Sequence, residues 1–170
     1  SLTIKGVTGF YPPEMAINNT LLKTLSELNY NWVIVDETIH KEAMPNTAYV
    51  VQKNKTKVVV RDKSVSNYFA FHRGDVYTIE NTAENIIVCV DAETFGHHNK
   101  LGISGLRSLI KNSRYTSTRF CTISQIVKKI NEMSLSEIRE TSWACPSSSE
   151  YSLSSSYTYW HDTHNFVQNG

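Results

Sequence analysis

The 170-residue chain is 40% hydrophobic and 19% charged, which suits one packed domain and leaves little length for two. Seventeen Lys and Arg against sixteen Asp and Glu give a net charge of +1 with no basic stripe, so a nucleic-acid partner held by phosphate neutralisation is not expected. No apolar run reaches the roughly 18–20 residues of a membrane helix, so no membrane association is expected. Cys89, Cys121 and Cys145 are odd in number and widely spaced, against a disulfide framework or a paired-cysteine zinc site.

Residues 2–5 read as a short strand, and residues 6–13 as a loop rich in turn formers. The chain opens on this strand without an initiator Met, which points to a removed leader or to a piece of something longer. A helix is expected from about Pro13, with Ile17, Leu21, Leu22, Leu25 and Leu28 on one face and Asn29 and Asn31 at its end. Trp32-Val33-Ile34-Val35 has the continuous apolar character of a strand buried on both faces, and it ends on Asp36. Strand, helix and strand in that order predict a βαβ unit.

Two short strands are expected at 48–52 and 57–61, then a short helix at 64–72. The apolar, β-branched run Ile86-Ile87-Val88-Cys89-Val90 predicts a further strand, ending on Asp91. A helix comes next at 101–111 with Leu106, Leu109 and Ile110 inward, then a strand at 119–122. Ser124 is placed as the cap of a last helix whose inner face carries Ile126, Val127 and Ile130. The serine-rich stretch at about 146–156 is too polar to bury and reads as a surface loop. Alternating β and α with buried strands predicts an α/β fold with a parallel sheet.

Functional groups in such folds sit beyond the carboxyl ends of the strands. Glu14 comes after the first strand, and in the first turn of a helix the dipole would keep it ionised, as a nucleophile requires. Asp91 lies at the mouth of an apolar strand, where desolvation favours the protonated form that a general acid needs. Each acid also has a plain structural reading, as a helix-start signal and as a turn cap respectively. Two carboxylates on neighbouring strand ends are the equipment of glycoside hydrolysis.

The segment Gly9-Phe10-Tyr11-Pro12-Pro13-Glu14-Met15-Ala16, a leucine-rich helix and Trp32-Val33-Ile34-Val35-Asp36 resemble the nucleophile region of glycoside hydrolase family 57. Residues 86–90 with Asp91-Ala92-Glu93-Thr94-Phe95-Gly96-His97-His98 resemble its acid/base region, and Ser142-Trp143 and Trp160-x-Asp162-x-x-Asn165 its late tryptophan-bearing segments. The resemblance runs from Gly6 to Asn165. It implies an incomplete (β/α)7 barrel, of which residues 1–170 would supply the later strands and helices as a partial catalytic domain. It implies retaining hydrolysis or transfer on α-glucans without metal or organic cofactor, with Glu14 as nucleophile and Asp91 as acid/base. Ala92 stands where the family commonly has glycine, and Tyr11-Pro12 where it commonly has tryptophan-leucine, which bears on substrate preference. The family's two earlier motifs have no counterpart here, and a complete barrel takes about 200–250 residues.

Phe10, Tyr11, Phe95, Trp143 and Trp160 are candidate sugar-stacking rings, because sugar C–H faces pack on aromatic faces. Asp36 is a third candidate cleft carboxylate that would orient substrate, and His97 a candidate contact to sugar hydroxyls. His97-His98 lack the spacing of a metal pair, and Glu93 is expected to point away from Asp91. Two rival readings stand beside the glycosidase: a metal-dependent polysaccharide deacetylase, and a truncated carbohydrate-binding protein without catalysis.

Overall fold

The computed structural model describes residues 6–51, 54–72 and 84–144. The expected strand at 2–5, the serine-rich loop, Cys145 and Trp160 lie outside the described residues. Five strands form one sheet: β1 (Gly9–Phe10), β2 (Trp32–Val35), β3 (Ala48–Val51), β4 (Lys57–Val60) and β5 (Glu132–Leu135). Their order across the sheet is β1-β2-β4-β3-β5. β1, β2 and β4 run parallel, whereas β3 is antiparallel to β4 and parallel to β5. The sheet is therefore mixed, not parallel. The physical reason is the short 52–56 connection between β3 and β4, which can turn a hairpin but cannot carry a crossover.

Period-two alternation divides the core between the two faces of the sheet. Val33, Val35, Val58, Val60, Tyr49 and Val51 pack with Leu22 and Leu25 of α1 (Asn19–Glu27). On the other face Ile34, Val59 and Ala48 meet Met15, Ile87, Cys89, Val127 and Ile130. Each fully buried Val or Ile contributes about 1.5–3 kcal/mol through removal from water.

α1 starts later than its periodicity suggests. Residues Pro13–Met15 form a 3-10 turn in which Glu14 has φ 54°, and the helix opens at Asn19, capped by Asn18, whose side chain accepts from the Leu21 N–H at 2.8 Å. Leu28, assigned to the inner face, is 64% exposed, and Asn29 turns the chain away at φ 61°. α2 (Lys63–Phe71) falls where a short helix is expected and is capped by Asp62.

The run 86–90 is not a strand. Its backbone finds partners outside any ladder: the Ile87 N–H donates to Asn46 Oδ1 (2.7 Å), the Ile87 carbonyl accepts from the Asp62 N–H (2.8 Å), and the Cys89 N–H donates to Ser66 Oγ (3.0 Å). Nor is 119–122 a strand; it is exposed and irregular, and the Arg119 guanidinium satisfies nearby carbonyls of Thr116 and Thr118. α3 (Gly102–Asn112) buries Gly102 and Gly105, while Ile110 stays exposed. α4 (Ile123–Ile126) begins after Thr122, so Ser124 is not its cap. The Ser124 hydroxyl instead accepts from Trp32 Nε1 at 3.0 Å.

Two local constraints hold the sheet in register. The Trp32 indole lies across Gly9, its partner on β1, so closely that a Cβ at Gly9 would overlap the ring. Asp36 and Arg61 stand just past the ends of the paired strands β2 and β4 and form a buried ion pair, with Arg61 Nε and Nη2 donating to Asp36 Oδ2 at 2.8 and 2.7 Å. Gly9→Ala should destabilise the fold by about 1–3 kcal/mol, the usual cost of overpacking. Asp36→Asn leaves the buried guanidinium without its counter-charge and should cost about 3–5 kcal/mol. Urea midpoints at unchanged slope test both, and an Asp36→Asn midpoint equal to that of the native chain would show that the pair holds nothing in place.

Candidate active site

Because β1, β2 and β4 are parallel, the residues just past their carboxyl ends emerge at one rim: Tyr11 to Glu14 after β1, Asp36 after β2, and Arg61 after β4. Asp91 joins that rim from the extended segment 84–91, which is drawn in where Arg61 Nη1 donates to the Cys89 carbonyl at 3.0 Å. A cleft of about 410 Å³ opens there, lined by Glu14, Arg61, Trp143, Asp91, Thr94 and His98. Asn67 and Phe71 of α2 complete its wall.

Glu14 is not held by a helix N-terminus, since α1 begins only at Asn19. It sits instead in left-handed backbone, as does Met15 (φ 49°), a conformation that costs a bulky residue on the order of 1–3 kcal/mol. The fully buried Met15 side chain and two bonds from Trp143 compensate: the Trp143 N–H donates to the Glu14 carbonyl at 3.1 Å, and the indole N–H donates to Glu14 Oε2.

Partial desolvation raises the Asp91 carboxyl above its ordinary range, and the negative charges of Glu14 and then Glu93 push it further the same way. Arg61 and His98 act in the opposite direction. Glu93 is turned to His98, whose Nε2 lies 3.0 Å from its Oε1. The Tyr11 phenol is also pushed up, chiefly by burial of its hydroxyl end and then by Cys89 and Asp91, although 43% of the residue is exposed. It therefore stays a protonated donor near both acids. Burial likewise pushes the Cys89 thiol up to about 12, with Arg61 opposing, so Cys89 is no nucleophile at neutral pH.

The structure thus brings Glu14, Asp91 and Trp143 into one cleft and leaves other candidates outside it. Asp36 is fully buried and contacts no cleft space; its Oδ1 accepts from the Thr38 N–H at 3.2 Å and faces Lys63 Nζ at 3.5 Å. It positions Arg61 and cannot orient a sugar. Phe10 packs edge-on against Tyr30 and, half-buried, against the core, and it does not line the cleft. Phe95 is half-buried in a tight turn bridged to Asn99, and His97 lies beside His98 without lining the cleft. Sequence reasoning misses Arg61, Asn67, Phe71 and Thr94 as lining residues, and of the His97-His98 pair it is His98 that lines the cleft. For Arg61 a signal existed, a lone cation ending an apolar strand in parallel with one ending in Asp36. Among the described residues no three His, Cys, Asp or Glu gather as a metal site would require, so the deacetylase reading finds no ligand set there.

Among solved structures, a 4-alpha-glucanotransferase from Thermococcus litoralis superposes with a TM-score of 0.58 over 80% of this chain, at 16% sequence identity. At that identity the likeness is one of fold, and the match spans only 23% of the neighbour's length. No curated protein matches the chain. A family model does match, over residues 4–139, taking in β1 through β5 with both candidate acids, and the chain belongs to glycosyl hydrolase family 57.

Proposed function

We propose that this chain is part of the catalytic domain of a retaining α-glucan hydrolase or transglycosidase, and that its sheet is a section of an incomplete (β/α)7 barrel. The observation that carries the reading is the shared cleft: Glu14 and Asp91 line one cavity, and the Glu14 charge is among the influences that raise the Asp91 carboxyl above its ordinary range. Family membership and the likeness to a glucanotransferase fold support α-linked glucan as substrate class.

In the first step a Glu14 carboxylate oxygen bonds to the anomeric carbon while the glycosidic C–O bond breaks. The electron pair leaves on the glycosidic oxygen, which takes the proton of Asp91. In the second step the Asp91 carboxylate accepts a proton from water or an acceptor sugar hydroxyl. That oxygen displaces Glu14 from the anomeric carbon, so configuration is retained over two inversions. The two carboxyl groups of a retaining pair stand about 5–5.5 Å apart. Water as acceptor gives hydrolysis and a second glucan gives transfer.

The test is made in the protein that carries this chain. Glu14→Ala and Asp91→Ala should each lose several orders of magnitude in turnover on unactivated α-glucan. With an activated leaving group the first step of Asp91→Ala should be partly spared, and azide should yield a glycosyl azide of retained configuration. Glu14→Ala with azide should instead yield the inverted product. Near-native turnover by both variants would remove the assignment.

A second expectation comes from charge alone. A general acid must be protonated, so kcat/KM on unactivated substrate should fall as pH rises through the raised Asp91 value. Glu14→Gln removes a negative charge that favours the proton, so the Asp91 carboxyl should titrate at lower pH in that variant. Carbon NMR of the labelled Asp91 carboxyl reads this without activity; a titration that does not move would mean the two acids do not share a field.

A further inference from the structure

We infer that Trp143 is a positioning residue for Glu14, the group that aims the nucleophile, and not a platform for sugar rings; the inference rests on the assignment of Glu14 proposed above. An indole has one polar group, a donor, and two faces. Here the donor is spent on Glu14 Oε2, and one face is covered by the Arg61 guanidinium, 5.0 Å from the ring centroid. Arg61 is itself immobilised by Asp36 and the Cys89 carbonyl, so the ring leans on a fixed support.

The backbone that delivers Trp143 is equally restrained. Ile17 and Thr141 exchange two backbone hydrogen bonds, at 2.9 and 3.0 Å, three residues from Glu14 on one side and two from Trp143 on the other. The Thr38 hydroxyl donates to the Ser142 carbonyl at 3.2 Å, and the Thr141 hydroxyl donates to Thr38 Oγ1 at 2.8 Å. Thr141 and Ser142 are both buried. A segment tied down in this way gives the indole a fixed origin from which to hold the carboxylate.

With Oε2 held by the indole N–H, Oε1 is the oxygen left to attack. When the glycosyl ester forms on Oε1, Oε2 becomes its carbonyl oxygen and keeps the N–H. As the ester breaks, charge returns to a carboxylate that already has its donor in place. The contribution is orientation, made in both steps and independent of the leaving group.

Trp143→Phe keeps an aromatic ring over Arg61 and removes the N–H. Its kcat should fall about 10–100-fold with KM within about twofold, the scale on which misplacing a reacting group acts. The loss should be the same for activated and unactivated leaving groups, unlike that of Asp91→Ala. A raised KM with native kcat would make Trp143 a substrate platform and overturn the proposal. Should Trp143→Phe fail to fold, the native protein and Glu14→Gln still decide it, since the Trp143 indole 1H–15N resonance must move when Glu14 loses its charge. An unmoved resonance overturns the positioning role and leaves the nucleophile assignment standing, while native activity in Glu14→Ala overturns that assignment whatever the resonance does.

Discussion

The cleft depends on one buried ion pair. Asp36 and Arg61 extend strands that are parallel neighbours, so the register that pairs Val35 with Val60 sets carboxylate and guanidinium side by side. Taking either charge out of water alone would cost several kcal/mol, and the geometry has to repay it. It does so by leaving little of either group unmatched. Asp36 Oδ2 takes two guanidinium donors, and Oδ1 takes the Thr38 amide with Lys63 alongside. Arg61 then has one terminal nitrogen and one face to spare. The nitrogen anchors the Cys89 carbonyl, and the face supports Trp143. Both catalytic candidates are reached through those two contacts, Asp91 two residues beyond Cys89, and Glu14 through the indole.

That dependence explains which parts of the molecule were legible in the amino-acid sequence. β2 and β4 announce themselves because their last three residues are buried on both faces and therefore apolar, and the β3–β4 pair because a short polar turn separates two apolar runs. β5 does not, because Glu132-Met133-Ser134-Leu135 is an edge strand whose first three residues are exposed, so no face of it needs to be apolar. The run 86–90 misleads for the converse reason. Ile87 and Cys89 are buried, so the residues must be apolar, but their backbone is satisfied by Asn46 and Ser66 side chains and not by a neighbouring strand. Apolar character reports burial; ladder pairing is a separate fact.

The site divides in the same way. Glu14 and Asp91 could be picked out because each comes after a recognisable segment at a strand end or its equivalent. Their surroundings could not, because these are long-range: Arg61 meets a carboxylate 25 residues away and a ring some eighty residues away, and the indole bond to Glu14 spans 129 residues. The helix start that local sequence suggests at Glu14 is replaced by a tertiary contact, the Trp143 indole. Asp36, which looks from its position like another cleft acid, is the one that must be fully buried so that the others need not be.

The electrostatics of the cleft show why a buried acid belongs there. In the roles proposed for Asp91 and Glu14, a general acid and a nucleophilic carboxylate need opposite protonation states at one pH, and a nearby cation helps the second and harms the first. Arg61 does pull Asp91 down, yet desolvation and the charges of Glu14 and Glu93 outweigh it. Asp36 pairs with the same cation. By holding the guanidinium on its Nε and Nη2 edge, it sets an anion against the cation at close range and leaves Nη1 for the Cys89 carbonyl and a planar face for Trp143. Arg61 can then fix the geometry around the cleft while its pull on Asp91 stays the weaker influence. A lysine could carry the same charge, but it lacks the fork that binds Asp36 twice while reaching Cys89, and the flat face on which Trp143 rests.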